Sequence, residues 1–386
     1  MKNGMKAFIN NRKEKFIDDL ATLVNIDSGS DNLSGIEAVA RLLIPRFEAM
    51  GFAARFEKIG SRGVPCLGAA NIQEDEKSDI LLLGHMDTVF PAGEAERRPF
   101  AVNGSRAMGP GVCDMKGGLL VALHVLEALH HVSVLEQLAV RVCFNGDEEV
   151  GSEASRQWIE AHARNSRRVF VFEPCRPEHR FVLNRKGGGG FAIAAKGMAA
   201  HAGVEPENGA NAAVEIAHQV LAVQRFNDNA PDGVSAHVTV VHSGEKTNII
   251  PDEATARVDV RVAHQDQVAE VESFFRSLPD HTRVPNVRLT VTGGLGRPPM
   301  EADERTMQLW QLFEEQAANL GMTIDFITTG GCSDGNFSSA LGIPTIDGMG
   351  AVGANAHRPD EYVDLDSIVP QIQLIASVCQ AIAREQ

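Results

Sequence analysis

Apolar residues recur along this chain in two alternating rhythms. They come at helical spacing over 12–25 and 34–50, a strand pattern follows at 52–58, and DILLLGH (79–85) is an unbroken apolar run of buried-strand length. A helix over 116–130 leads into the strand LAVRVCFN (138–145), and a helix over 152–163 leads into RVFVFE (168–173). Strands and helices in alternation predict an α/β layer, a mixed and largely parallel sheet with helices on both faces.

After residue 184 the rhythm changes. NRKGGGG (184–190) reads as punctuation, because four glycines in succession hold regular structure poorly. A strand (191–196), a helix (210–226), two strands (235–243 and 254–262), a helix (265–278) and a strand (286–292) follow. That βαββαβ order predicts an α+β ferredoxin-like unit, closed by a second cluster of breakers, GGLGRPP (293–299). From 302 the α/β alternation resumes with a helix (302–319), a strand (322–327), a short helix near 335–341, a strand (343–347) and a last helix from 364. The expected organisation is a discontinuous catalytic domain, 1–185 and 298–386, with a smaller domain inserted over 186–297 and hinges at 185–190 and 293–299.

Length agrees with two domains, since 386 residues exceed one ordinary core. Charge narrows the partners. With 36 basic against 51 acidic residues the formal charge is -15, which argues against nucleic acid and anionic membranes and leaves a small-molecule substrate. Lys2, Lys6, Arg12, Lys13 and Lys15 lie near the start, but no apolar stretch of signal-peptide length follows, and no apolar run approaches a membrane span. The six cysteines are widely spaced and form no CxxC pair, so they read as reduced thiols and a cytoplasmic location is expected.

Chemistry concentrates in five segments: GHMDTVFP (84–91), GPGVCDMKGG (109–118), GDEEVGS (146–152), VFEPC (171–175) and ANAHRPDEY (354–362). His85, the pair Glu148 and Glu149, and Glu173 each fall at or just beyond the end of an expected strand, where open α/β sheets bind ligands. Gathered together, Asp87, Asp114, Glu148, Glu149 and Glu173 would repel one another and raise their own pKa values. Two divalent cations would remove that repulsion. Imidazole nitrogen with carboxylate oxygen suits zinc, and two metals sharing a carboxylate suit hydrolysis of a carbonyl compound. Singly, a Glu-Glu pair is usually a solvated face and a lone His a satisfied surface residue; the joint occurrence carries the reading.

At these residues the chain resembles the two-zinc aminoacylase, glutamate carboxypeptidase and acetylornithine deacetylase family, and most of all the glutamate carboxypeptidase branch. The resemblance runs over nearly the whole chain, with HMDTVFP, GPGVCDMKGG, DEEVGS and AHRPDEYV in the family's order. It implies two Zn2+ per chain, with Co2+ or Mn2+ able to substitute. Asp114 would bridge the metals, His85 and Glu173 would complete one, and Glu149 and His357 the other. Glu148 would be the general base, and Asp87 the carboxylate that orients the His85 imidazole.

The inserted domain would be the family's lid and dimerisation domain. His201, in KGMAAHAG (196–203), would stabilise the oxyanion, often in the partner subunit's site. Asn248, Arg261 and Arg297 would bind substrate, with Arg297 taking its free carboxylate through a planar guanidinium fork. TGGCSDGNF (329–337) resembles the loop that lines the substrate side. The implied activity is cleavage of an amide or peptide bond next to a free carboxylate, releasing a C-terminal amino acid. The alternatives are an N-acyl-amino-acid deacylase of the acetylornithine deacetylase or desuccinylase type, a dipeptidase, and a non-hydrolytic binding protein, the last opposed by the presence of Glu148 beside a full ligand set.

Overall fold

The computed structural model describes residues 3–385. They form two compact units: one runs up to Asn184 and takes in Glu301–Thr328 and the chain from Ser333 onward, and the other comprises Arg185–Met300 with Thr329–Cys332.

The first unit is built on a six-stranded sheet in the spatial order Ala53–Ile59, Val64–Ala70, Val140–Asn145, Ile80–His85, Val169–Val171, Thr345–Ile346. The last four are parallel, and the first two add an antiparallel hairpin at one edge. Ile80–His85 is buried along its whole length, as a central parallel strand covered on both faces must be. Its alternate residues enter different cores. Ile80 and Leu82 join the large cluster with Phe47, Leu120 and Ile375, whereas Leu81 and Leu83 pack with Ile159, Ala163 and Phe337. That is the two-residue period of a strand, read out in packing. The helices Gly117–His131 and Ile368–Ile382 pack on each other and are buried nearly all round, which explains why neither shows a polar face in sequence.

The second unit is a four-stranded antiparallel sheet in the order Ser235–Ser243, Glu253–Val262, Gly187–Lys196, Arg288–Arg297. Ala254, Ala256, Val258, Val260 and Val262 point to one face and are buried with Ile216, Val223, Val271 and Phe275 of the helices Ala212–Asn229 and Val268–Ser277. Both helices therefore cover one face, giving the ferredoxin-like arrangement.

Two expectations need correcting. The glycine run is no break: Gly187–Gly190 open the strand that ends at Lys196, paired to a neighbour on each side. Side chains are excluded there by close approach, since a Cβ on Gly189 would lie 2.1 Å from the Gly294 carbonyl oxygen and one on Gly187 2.7 Å from the Pro299 nitrogen. Likewise GGLGR continues the strand Arg288–Arg297, which absorbs its glycines in an irregularity between Gly294 and Arg297. Some elements are also displaced or new. The strand expected at 322–327 is Asp325–Thr329, the last helix begins at Ile368 rather than 364, and a helix Asn3–Asn10 precedes those expected.

Candidate metal centre

Three adjacent parallel strands end at one edge of the first sheet, and the acids and imidazoles follow from that. His85 is the last residue of its strand and lies beside Asn145, the last of the next. Glu148 and Glu149 begin a short 3-10 turn just beyond Asn145, and Glu173 lies two residues past Val171. Asp114 comes from the irregular turn Val112–Lys116 that leads into Gly117–His131. His357 comes from the loop between Gly353–Ala354 and Tyr362–Asp364, held at a positive φ of 67°.

Asp114 sits between the two imidazoles. One of its oxygens is 3.1 Å from His85 Nε2 and the other 3.2 Å from His357 Nε2. Each imidazole nitrogen has a second carboxylate, Glu173 at 3.6 Å from His85 and Glu149 at 3.1 Å from His357. Donor atoms of His85, Glu148 and Glu173 lie within 4.8 Å of one another, as do those of His85, Asp114 and Glu149. The site thus gathers the five residues expected as metal ligands together with Glu148.

Electrostatics describe the same place. Burial and then the charge of Asp114 push the Glu173 carboxyl well above its ordinary range. Burial also raises Glu149, against the pull of His357. Burial opposes charge on His85, yet its hydrogen bonds to Asp114 and Asp87 outweigh that and raise it well above the usual imidazole value. Asp114 and then Glu149 push His357 up to about 11. Carboxylate charge surrounds both imidazole nitrogens and favours a cation at this place. Glu149 Oε1 is buried with no hydrogen-bond partner among the described residues, an acceptor oriented for something other than a protein donor. Nitrogen and oxygen donors in this number fit divalent zinc.

Asp87 meets the His85 ring through two of its atoms. His85 Nδ1 meets the Asp87 main-chain carbonyl at 3.0 Å, while the nearer carboxylate oxygen is 3.4 Å away. The carboxylate also accepts the backbone N–H groups of Glu148 (3.1 Å) and Glu149 (3.2 Å) and the Ser30 hydroxyl (2.7 Å). It therefore ties the Glu-Glu turn to the end of the neighbouring strand.

One residue escaped the sequence reading. Glu361, 0 % exposed, accepts the backbone N–H groups of Cys113 (2.7 Å), Asp114 (2.9 Å) and Gly111 (3.3 Å). Burial raises its carboxyl to about 7, against those hydrogen bonds. The signal was its place in ANAHRPDEY, four residues after His357. A cavity of about 610 Å3 opens beside Glu149, walled by Val89, Phe90, Pro91 and Val150.

The residues expected on the inserted domain lie in the second unit. His201 is exposed and pairs with Ile249 in a short two-stranded ladder, next to Asn248, whose carbonyl accepts the N–H of Ala202 at 3.0 Å. Gly203 N–H donates to His201 Nδ1 at 3.1 Å, which leaves the ring proton on Nε2. Arg261 and Arg297 both stand opposite Gly188, on the strands either side of it. Arg261 is held by Asp259 through two bonds of 2.9 and 2.8 Å.

Residues 81–381 match peptidase family M20/M25/M40. The chain is 31 % identical to carboxypeptidase G2 of Pseudomonas sp. strain RS-16, over 93 % of this chain and 87 % of that protein. It is 27 % identical to a succinyl-diaminopimelate desuccinylase of Gluconacetobacter diazotrophicus, over 77 % of this chain and 80 % of that one. In fold it is similar to an M20 family metallo-carboxypeptidase from Sulfolobus solfataricus, with a TM-score of 0.76 at 18 % identity, covering 96 % of this chain and 99 % of the other. A match over most of the chain, joined to a relative of this identity along nearly its whole length, makes the protein a hydrolase and a member of peptidase family M20/M25/M40.

Proposed function

We propose that this chain is a two-zinc amidohydrolase that cleaves an amide or peptide bond next to a free carboxylate and releases a C-terminal amino acid. The observation that carries it is the placing of Asp114, one oxygen toward His85 and the other toward His357, with Glu173 and Glu149 as second partners. In this reading Asp114 would be shared by two metals, His85 and Glu173 would hold one, and Glu149 and His357 would hold the other, with Co2+ or Mn2+ able to replace Zn2+. The metals would supply Lewis acidity and a water acidified enough to attack at neutral pH.

The chain's own groups do the rest. Glu148, buried beside His85 and Glu173, takes a proton from the attacking water and passes it to the amine nitrogen as the C–N bond breaks. Asp87 keeps the Glu148 carboxylate in place through the backbone of the turn. His201 donates its Nε2 proton to the carbonyl oxygen as negative charge develops there. Arg297 takes the substrate carboxylate as a fork, helped by Asn248 and Arg261. The apolar walls at Val89, Phe90 and Val150 suit a bulky acyl side, which favours a carboxypeptidase over a deacetylase that handles only a small acyl group. Relatedness to a desuccinylase keeps an N-acyl-amino-acid deacylase as the second reading. A homodimer formed through the 186–297 domain, and a cytoplasmic location supported by six free thiols, belong to the same proposal.

The test is a panel of N-acyl amino acids and dipeptides offered to zinc-loaded protein. Preference for bulky acyl groups with a free C-terminal carboxylate is expected. Turnover confined to free-amine dipeptides, or to N-acetyl and N-succinyl substrates, would overturn it.

A further inference from the structure

A second cavity lies wholly within the second unit and takes no part in the chemistry above. It measures about 410 Å3, within the range of small-molecule sites. One wall is the helix Ala212–Asn229, which presents His218, Ala222 and Arg225 along one stripe. The other wall carries His281 and Arg283, beyond the helix Val268–Ser277. Phe226 and Phe274, stacked with centroids 4.2 Å apart, reach it from both helices.

The two walls are fastened by a buried carboxylate. Glu215, 0 % exposed, accepts the backbone N–H groups of Arg283 (2.8 Å) and Val284 (2.7 Å) and the Gln219 amide (2.6 Å). Because the Gln219 NH2 must face that carboxylate, the amide's orientation is fixed. Its oxygen, on a residue only 2 % exposed that lines the cavity, has no hydrogen-bond partner among the described residues.

Charge is the second feature. No Asp or Glu lines this cavity, in a chain with a formal charge of -15. Among the described residues neither the Arg225 nor the Arg283 side chain has an ion pair or hydrogen bond. Arg46, by contrast, is bonded to both Asp19 and Glu127. Two uncommitted guanidiniums from opposite walls, two imidazoles and an aromatic pair line one space.

We propose that this cavity binds a small aromatic phosphate monoester. A tetrahedral phosphate offers oxygens in several directions, so it can meet forks from both walls, whereas a planar carboxylate faces one way. The phosphate alone would leave most of the volume unfilled, and the phenylalanine pair provides the surface for a planar ring.

Calorimetric titration of full-length, zinc-loaded protein with phenyl phosphate tests this, with inorganic phosphate and benzoate as comparison probes. One saturable site is expected, weakened at least about tenfold by Arg225→Ala and again by Arg283→Ala, as loss of a charged hydrogen-bond partner implies, with inorganic phosphate and benzoate both weaker than phenyl phosphate. Binding that survives both substitutions unchanged would belong to the metal centre and overturn the proposal. So would benzoate binding as tightly as phenyl phosphate. Loss of binding accompanied by a changed sedimentation coefficient would assign the arginines to subunit contact and equally sink it.

Discussion

The backbone N–H of Asp114 donates to the carboxylate of Glu361 at 2.9 Å. Cys113 N–H donates to the same carboxylate oxygen, so the turn carrying the central acid is drawn onto one buried anion. Glu361→Ala leaves three backbone donors without their acceptor and frees Asp114 to tilt. Elemental analysis should then find less than the full complement of metal, with affinity or activity reduced by roughly 10–100-fold, the usual worth of a group that orients a metal ligand. Full metal content with undiminished turnover would refute this role.

Adjacent glutamates should separate cleanly by mutation. Glu148→Gln keeps its shape and is not assigned to metal, so zinc should stay near two per chain while turnover falls by roughly 10²–10⁴-fold. Glu149→Gln removes a partner of His357 and should lose metal. The opposite pattern in metal analysis would exchange the two roles.

A buried histidine outside the assigned ligand set gives a pH test. His124 bonds Asp19 at 3.2 Å, and burial, the larger effect, holds its pKa below the ordinary 6.5. The folded state therefore takes up this proton less readily than the unfolded chain. The stability it contributes is fully present above pH 6.5 and is withdrawn as pH falls below that value. In chelated protein, urea midpoints at pH 8 and pH 5 should differ less for His124→Gln than for the parent. An equal or larger difference would show that His124 is not the group responsible.

Gly188 separates two guanidiniums that are both assigned to substrate. A Cβ there would lie 2.7 Å from Arg261 Nη1 and 2.9 Å from Cys332 Sγ, so Gly188→Ala must displace the Arg261 side chain without removing its charge. The expected result is a raised Michaelis constant, matching Arg261→Ala in direction, with metal content unchanged. If kinetics stay at the parental values, Arg261 takes no part in binding substrate.

Much of this was legible in the chain because it depended on local pattern. DILLLGH and LAVRVCFN announce central strands by being apolar throughout, and the chemistry follows at their ends: His85, Glu148 and Glu149. What was hidden depends on partners distant in sequence. The glycine run looks like a break until its neighbours, Glu253–Val262 and Arg288–Arg297, supply the pairing and leave no room for side chains. Glu361 finds its role only when the turn at 111–114 reaches it from some 250 positions earlier. The hydrogen bonds of the Asp87 carboxylate to the Glu148 and Glu149 backbone likewise arise from strands that are neighbours in the sheet and not in the chain.

The last prediction concerns His201. Its Nδ1 accepts a backbone N–H from Gly203, so in the neutral ring Nε2 bears the proton and is free to donate. The ring is exposed, and none of the assigned metal ligands is in the same unit. His201→Ala should therefore leave zinc content unchanged. It should depress the maximal rate by about 10²–10³-fold, since an oxyanion donor acts mainly in the transition state. Arg297→Ala should differ, raising the Michaelis constant more than it lowers the rate, because its contact exists in both ground and transition states. If the proposed dimer passes His201 to the partner's site, mixing inactive His201→Ala and Glu148→Gln proteins should restore part of the activity, because one hybrid site then carries both intact groups. No recovery in a verified heterodimer would exclude the crossed arrangement and leave His201 to act within its own chain.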